Sequence, residues 1–140
     1  MRHEEAIFRE VETELNSLLS SARPELESSG VEIKAQTPDP RDYLSWDVWF
    51  TKSWSGPVGH ELAQVTVLLS CMEPVPGKED VEVRLWAAAE IFQIGQLSRI
   101  RETSDTKISR EHLRSSGVGN IVLEKIGWGH NLLMSAENWR

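Results

Sequence analysis

The residues with which this chain could do chemistry are four histidines, one cysteine, a glycine-rich turn and several strand-borne carboxylates. His3, His60, His112 and His130 show no ligand spacing such as H-x-x-x-H, and Cys71 has no second Cys or His beside it, so no metal-ligand set is assigned. His60-Glu61 follows a glycine and reads as a solvated loop pair. Cys71 falls by strand parity among Ala63, Val65, Val67 and Leu69. There a thiol behaves as a small hydrophobe, whereas a nucleophile needs a lowered pKa and a nearby base. Ser116-Gly117-Val118-Gly119-Asn120 lacks the G-K-[ST] and the preceding strand of a phosphate loop and reads as a helix stop. Asp47, Glu82 and Glu90 share one predicted sheet face, but only the strand register decides whether they meet. No catalytic residue, metal ligand or cofactor follows from these patterns.

The aromatic residues are the anomaly. The chain has six tryptophans and a single tyrosine. Trp46 falls on the core side of its strand. Trp49, Trp86 and Tyr43 fall by alternation on the opposite side, with Leu68, Asp47, Arg84 and Glu82. An apolar, aromatic patch ringed by charge is the composition of a binding surface, and Trp, Tyr and Arg dominate interface energetics. Tyr43, Asp47, Trp49, Arg84 and Trp86 are therefore the candidate partner-binding residues. The competing reading is that the C-terminal segments, with Trp128 and Trp139, fold over this face. That would leave a cleft between sheet and cover.

The elements that must position these residues are legible from periodicity. Ile7, Phe8, Val11, Leu15, Leu18, Leu19 and Ala22 recur every three or four residues, which predicts an amphipathic helix over about residues 3–22, with Pro24 ending or kinking it. From Gly30 the period becomes two. Strands are expected over 31–35, about 43–53, 62–72, and from about Asp80 through Glu90 or beyond, with a short edge strand over 97–102. Thr37-Pro38-Asp39-Pro40 and Ser55-Gly56-Pro57-Val58-Gly59 mark the turns. Ser104, Asp105 and Thr106 read as helix-cap residues, leading to a short helix through Ile108, His112 and Leu113 that stops at Ser116-Gly117. The segment 121–126 fits a helix or a strand, Gly127-Trp128-Gly129 reads as a break, and 131–139 as a last helical turn or two. Short loops between successive strands imply antiparallel neighbours. The expectation is an α+β two-layer fold: a four- to five-stranded antiparallel meander packed by the N-terminal helix, with short C-terminal helical segments. The N-terminal helix should cover Trp46, Val48, Val65, Val67, Val83 and Leu85.

At 140 residues the chain has the size of one domain, so residues 1–140 are read as a single unit. Hydrophobic residues make up 39% and charged residues 26%, which excludes a wholly disordered or collagenous chain. The net charge of −7 opposes the balance of a nucleic-acid binder. No run of 18 apolar residues suggests a membrane helix. The start, Met1-Arg2-His3-Glu4-Glu5, lacks the apolar core of a secretory signal, and a single cysteine suits a reducing compartment, so a cytoplasmic location is expected. Residues 1–50 hold eleven acidic and five basic groups, and residues 96–140 hold five and seven. The basic run Arg99, Arg101, Lys107, Arg110 and Arg114 either complements the acidic helix within the molecule or forms a separate patch.

No motif assigns the chain to a family. In size, charge and layout it resembles small acidic bacterial proteins that act by binding, such as immunity proteins and secretion chaperones. That resemblance implies a non-catalytic protein that sequesters or escorts a basic protein partner. The alternatives are a self-associating subunit, forming a homodimer through the same face, and a small-ligand binder or enzyme. The last would use a cleft between the sheet and the C-terminal segments, with His60, His112 or His130 as base.

Overall fold

The computed structural model describes residues 3–35, 44–55, 61–75, 77, 80–93 and 99–135. Helix α1 (His3–Ser28) buries Phe8, Val11, Leu15, Leu19, Ala22 and Leu26 along one stripe. It runs through Pro24 instead of ending there. Proline removes the bond to the Ser20 carbonyl, but Ser20 and Pro24 are both exposed, so water can replace it. One turn later Leu26 is fully buried and holds the last turn in place. The helix stops at Gly30, whose φ is +82°. The Val31 amide bonds the Leu26 carbonyl and the Gly30 amide bonds the Glu27 carbonyl, both at 3.0 Å. This is a Schellman stop, with Val31 packing back on the same apolar stripe.

The strands are β1 (Glu32–Ala35), β2 (Ser45–Ser55), β3 (Glu61–Met72), β4 (Val83–Gln93) and β5 (Arg99–Ile108). They form one sheet in the order β1-β2-β3-β4-β5, each pair antiparallel. The fold is the α+β meander that the pattern of elements predicts. Strand β5 is longer than expected. Ser104, Asp105 and Thr106 lie within it, paired with Ala87, Trp86 and Leu85. The helix cap is Ser109, whose hydroxyl accepts from the His112 amide. It starts α2 (Arg110–Ser116), which ends at Gly117.

Helix α3 (Val118–Leu133) is continuous through Gly127-Trp128-Gly129. Its packing explains why. A Cβ on Gly129 would lie 2.5 Å from the Cγ2 of Val65, so the missing side chain lets the helix rest directly on β3. All three helices lie on one face. Helix α3 sits over β3 and β4, and α1 packs beside it against α3 and β1. The N-terminal helix therefore shares the cover of the inner face with α3, which takes the middle. Beneath them lie Trp46, Val48, Phe50, Ala63, Val65, Val67, Leu69, Cys71, Val83, Leu85, Ala87 and Ala89, all buried in one cluster.

Three polar ties fix the layers. The Trp46 indole N–H donates to Asn16 Oδ1 at 2.7 Å, Arg110 and Arg114 both donate to the Glu14 carboxylate at 3.2 and 2.8 Å, and Lys125 donates to Ser104 at 2.9 Å. Two members of the basic run thus serve the molecule's own acidic helix.

Candidate partner-binding face

Strand alternation leaves the other face of the sheet to Glu32 and Lys34 of β1, Asp47, Trp49 and Thr51 of β2, and Thr66, Leu68 and Ser70 of β3. Arg84, Trp86, Ala88 and Glu90 of β4 and Thr103, Asp105 and Lys107 of β5 continue it, and towards its two ends stand the exposed Leu62 and Met72 of β3. No described helix crosses it. The described C-terminal segments, through residue 135, lie with α1 on the inner face, and Gly129 in contact with Val65 leaves no cleft between α3 and the sheet at that point. Trp139 and Tyr43 lie outside the described residues, as does His60.

The register brings the candidate residues together in rows. One row reads Lys34, Trp49, Leu68, Trp86, Asp105, one residue from each strand. The indoles of Trp49 and Trp86 meet edge to face, with ring centroids 6.0 Å apart at 80°, a favoured aromatic geometry. They flank Leu68 on the central strand and bury it, although no described helix covers it. Both indoles remain partly exposed. The next row reads Asp47, Ser70, Arg84, Lys107. Ser70 donates to the Asp47 carboxylate. Arg84 makes a two-pronged bond to Asp105, both contacts 2.9 Å, and this holds the Asp105 carboxyl below the usual carboxylate range. Lys107 also reaches Glu82 at 3.4 Å. Beside Trp49, a shallow pocket of about 400 Å³ is lined by Lys34, Trp49, Thr51 and Thr66.

Asp47, Trp49, Arg84 and Trp86 therefore share one surface, in adjacent rows. Lys34, Thr51, Thr66 and Asp105 belong to it too. Sequence reasoning missed them because only the register places them beside the tryptophans. The outer carboxylates do not assemble an acid–base pair. Asp47 is aligned with Arg84 across β3, whereas Glu90 lies six residues further along β4, about 20 Å away.

Of the remaining chemical candidates, Cys71 is accounted for by packing. Cys71 is buried, and burial pushes its thiol up to about 12, the opposite of a nucleophile's requirement. His112 is exposed on α2, with Nδ1 3.4 Å from the Ser116 hydroxyl. His130 on α3 lies against the Trp54 ring at 4.8 Å. Neither meets a carboxylate among the described residues, and no group of three His, Cys, Asp or Glu there is placed to hold a metal ion. No described helix is long and apolar enough to cross a membrane. Compared with known protein families and with curated proteins, the chain matches none.

Proposed function

We propose that this protein acts by binding another protein chain, without catalysis, and that the outer face of the sheet is its contact surface. The observation that carries this reading is the row Trp49–Leu68–Trp86. It is an aromatic centre, uncovered by any described helix and rimmed by Asp47, Arg84, Asp105 and Lys107. Interfaces draw most of their energy from such anchors, surrounded by polar groups that exclude water. A partner held this way is sequestered or escorted rather than chemically changed, in the manner of an immunity protein or a secretion chaperone. The ion pairs Arg84–Asp105 and Lys107–Glu82 neutralise one another. Glu32, Asp47 and Glu90 then outnumber Lys34 on this face. With the net charge of −7, that excess favours a basic partner and would speed its approach. A cytoplasmic site of action is part of the same proposal.

The test is site-directed photo-cross-linking in the cells of origin. A photoreactive residue is placed at Thr51 or Thr66, with Glu10 on the exposed side of α1 as control. Discrete adducts from the sheet positions alone are expected. The cross-linked chain, once purified, should bind Trp49→Ala or Trp86→Ala about thirtyfold more weakly than wild type, the equivalent of about 2 kcal/mol. Unchanged affinity, or adducts equally frequent from Glu10, would overturn the reading.

A further inference from the structure

The rows of the outer face are nearly palindromic about the central strand. Read across the sheet, the middle row is Lys34, Trp49, Leu68, Trp86, Asp105. A tryptophan stands on each side of Leu68, and the ends carry opposite charges. Its neighbour places Asp47 on β2 and Arg84 on β4, on either side of Ser70. We propose that the outer face seats a second copy of this chain, packed face to face about a two-fold axis that runs along β3. The proposal rests on the reading of this face as a protein-binding surface: the second copy occupies it when the basic partner is absent, and the two compete for the same residues.

A half-turn about β3 carries β2 over β4 and β1 over β5. Leu68 then faces Leu68 of the other copy, and Trp49 faces Trp86. Lys34 faces Asp105, and Asp47 faces Arg84. Thr51 faces Ala88, and Glu32 faces Thr103. Each unlike pair occurs twice, as an isologous contact requires. Four pairs of opposite charge ring an apolar centre, and no like charges face one another among these pairs. Arg84 uses two of its five donor hydrogens on Asp105 and keeps others for Asp47 of the second copy. The pocket between Lys34, Trp49, Thr51 and Thr66 lies opposite the partly exposed Trp86 and the Asp105 of the second copy.

One alternative that also keeps Leu68 over Leu68 is a two-fold axis laid across the strands along the middle row. It sets Lys34 over Lys34 and Asp105 over Asp105. Charge therefore selects between the two packings. The strands of the favoured arrangement run in nearly the same direction, as in aligned sheet packing with about 10 Å between sheets. Size agrees as well. Strands β2, β3, β4 and β5 have 11, 12, 11 and 10 residues, and β1 has 4. Under the two-fold β3 meets β3, β2 meets β4, and the four residues of β1 cover only part of β5, so about 40 strand residues of each copy overlap. That is roughly 650 Å² of sheet, within the range of about 600–1,000 Å² per partner of stable interfaces.

The experiment is sedimentation equilibrium of the full chain, whose monomer mass is 15.9 kDa. Wild type should run at twice that mass. Lys34→Asp and Asp105→Lys each set like charges opposite one another in their own dimers, and each should weaken self-association at least about tenfold. Mixed together, the two variants should recover a dimer within about threefold of wild-type affinity, because every facing pair is again of opposite sign. Within one copy residues 34 and 105 lie four strand spacings apart, about 19 Å and beyond the screening length, so no contact inside a monomer imitates this recovery. Melting temperatures close to wild type would exclude unfolding as the cause. A wild type that stays monomeric at about 100 μM, a concentration at which an interface of micromolar affinity is largely formed, would overturn the two-fold packing and leave binding of a different protein standing. A dimer indifferent to both charge reversals, or a mixture that stays dissociated, would overturn it too. Failure of the cross-linking test from Thr51 and Thr66 would instead remove the binding face itself.

Discussion

Adding one methyl group to α3 should have opposite effects at two glycines that lie only two residues apart. At Gly129 the new Cβ would lie 2.5 and 2.9 Å from the two γ-methyls of Val65, well inside the ordinary carbon–carbon contact of about 3.5–4.0 Å. Val65 is fully buried and close-packed under the helices. The helix must lift from the sheet, and contacts this short put the overpacking cost in the upper part of the usual range, about 2–3 kcal/mol. Alanine returns up to about 1 kcal/mol through better helix propensity, so the net loss should be about 1–2 kcal/mol. At roughly 2.1 cal/mol/K per residue, a chain of this size loses about 3 °C in Tm per kcal/mol. Gly129→Ala should thus melt about 3–7 °C below wild type. A Cβ added at Gly127 would meet no atom within 4 Å, and Gly127→Ala should raise Tm by up to about 3 °C. Thermal unfolding of wild type, Gly129→Ala, Val65→Ala and the double variant completes the test. In the Val65→Ala background the added methyl fills a cavity, so the two losses should fall short of additive by at least about 1 kcal/mol. A Gly129→Ala protein as stable as wild type, or strictly additive losses, would refute the account of how α3 seats on β3.

Three further outcomes can be checked independently. Val67→Asp places an unpaired charge under the helices at a fully buried position and should cost several kcal/mol, about 3 or more, enough to leave little folded protein in a chemical denaturation series. Cys71, with its thiol pushed up to about 12 by burial, should react slowly with a thiol reagent in the native protein and quickly in denaturant; rapid native labelling would place it outside the core. The hydrogen bond from Arg114, with the Arg110 contact, lowers the Glu14 carboxyl below its ordinary value. Its stabilisation is therefore full above the unfolded-state pKa and is lost as pH falls through the lower folded-state value. The Tm gap between wild type and Glu14→Gln should be widest near neutrality and close in acid, and a gap independent of pH would remove the charged pairing as its cause.

The sheet was legible because four of its strands carry a clean period of two, and the same alternation put Trp49 and Trp86 opposite the core. Where tertiary contacts outweigh local preference, the pattern misled. Gly127-Trp128-Gly129 reads as a break by propensity, yet Gly129 is what permits contact with Val65, and Val122, Ile126 and Leu133 bury the helix on either side of it. Pro24 is tolerated because the carbonyl it deprives faces water. Ser104, Asp105 and Thr106 look like caps because an edge strand needs few apolar residues, and its polar side chains help to discourage unwanted pairing. The rows of the outer face could not be read beforehand, since one sequence holds no register. Asp105, nineteen residues beyond Trp86 in the chain, joins Arg84 and Trp86 only once β4 and β5 are aligned.

The placement of α1 and α3 side by side has a consequence for how the chain is made. Each strand of the meander can find its neighbour as it leaves the ribosome, because the neighbour has just been synthesised. Helix α1 emerges before the sheet, yet the element that lies beside it and roofs β3 and β4 begins about ninety residues after α1 ends, at Val118. Until then Ala63, Val65, Val67, Ala87 and Ala89 form an oily surface open to solvent or to a chaperone. A nascent chain halted before residue 118 should therefore be a far better chaperone client than one extended past residue 135, and translation that terminates short of α3 should yield aggregates rather than a smaller folded protein.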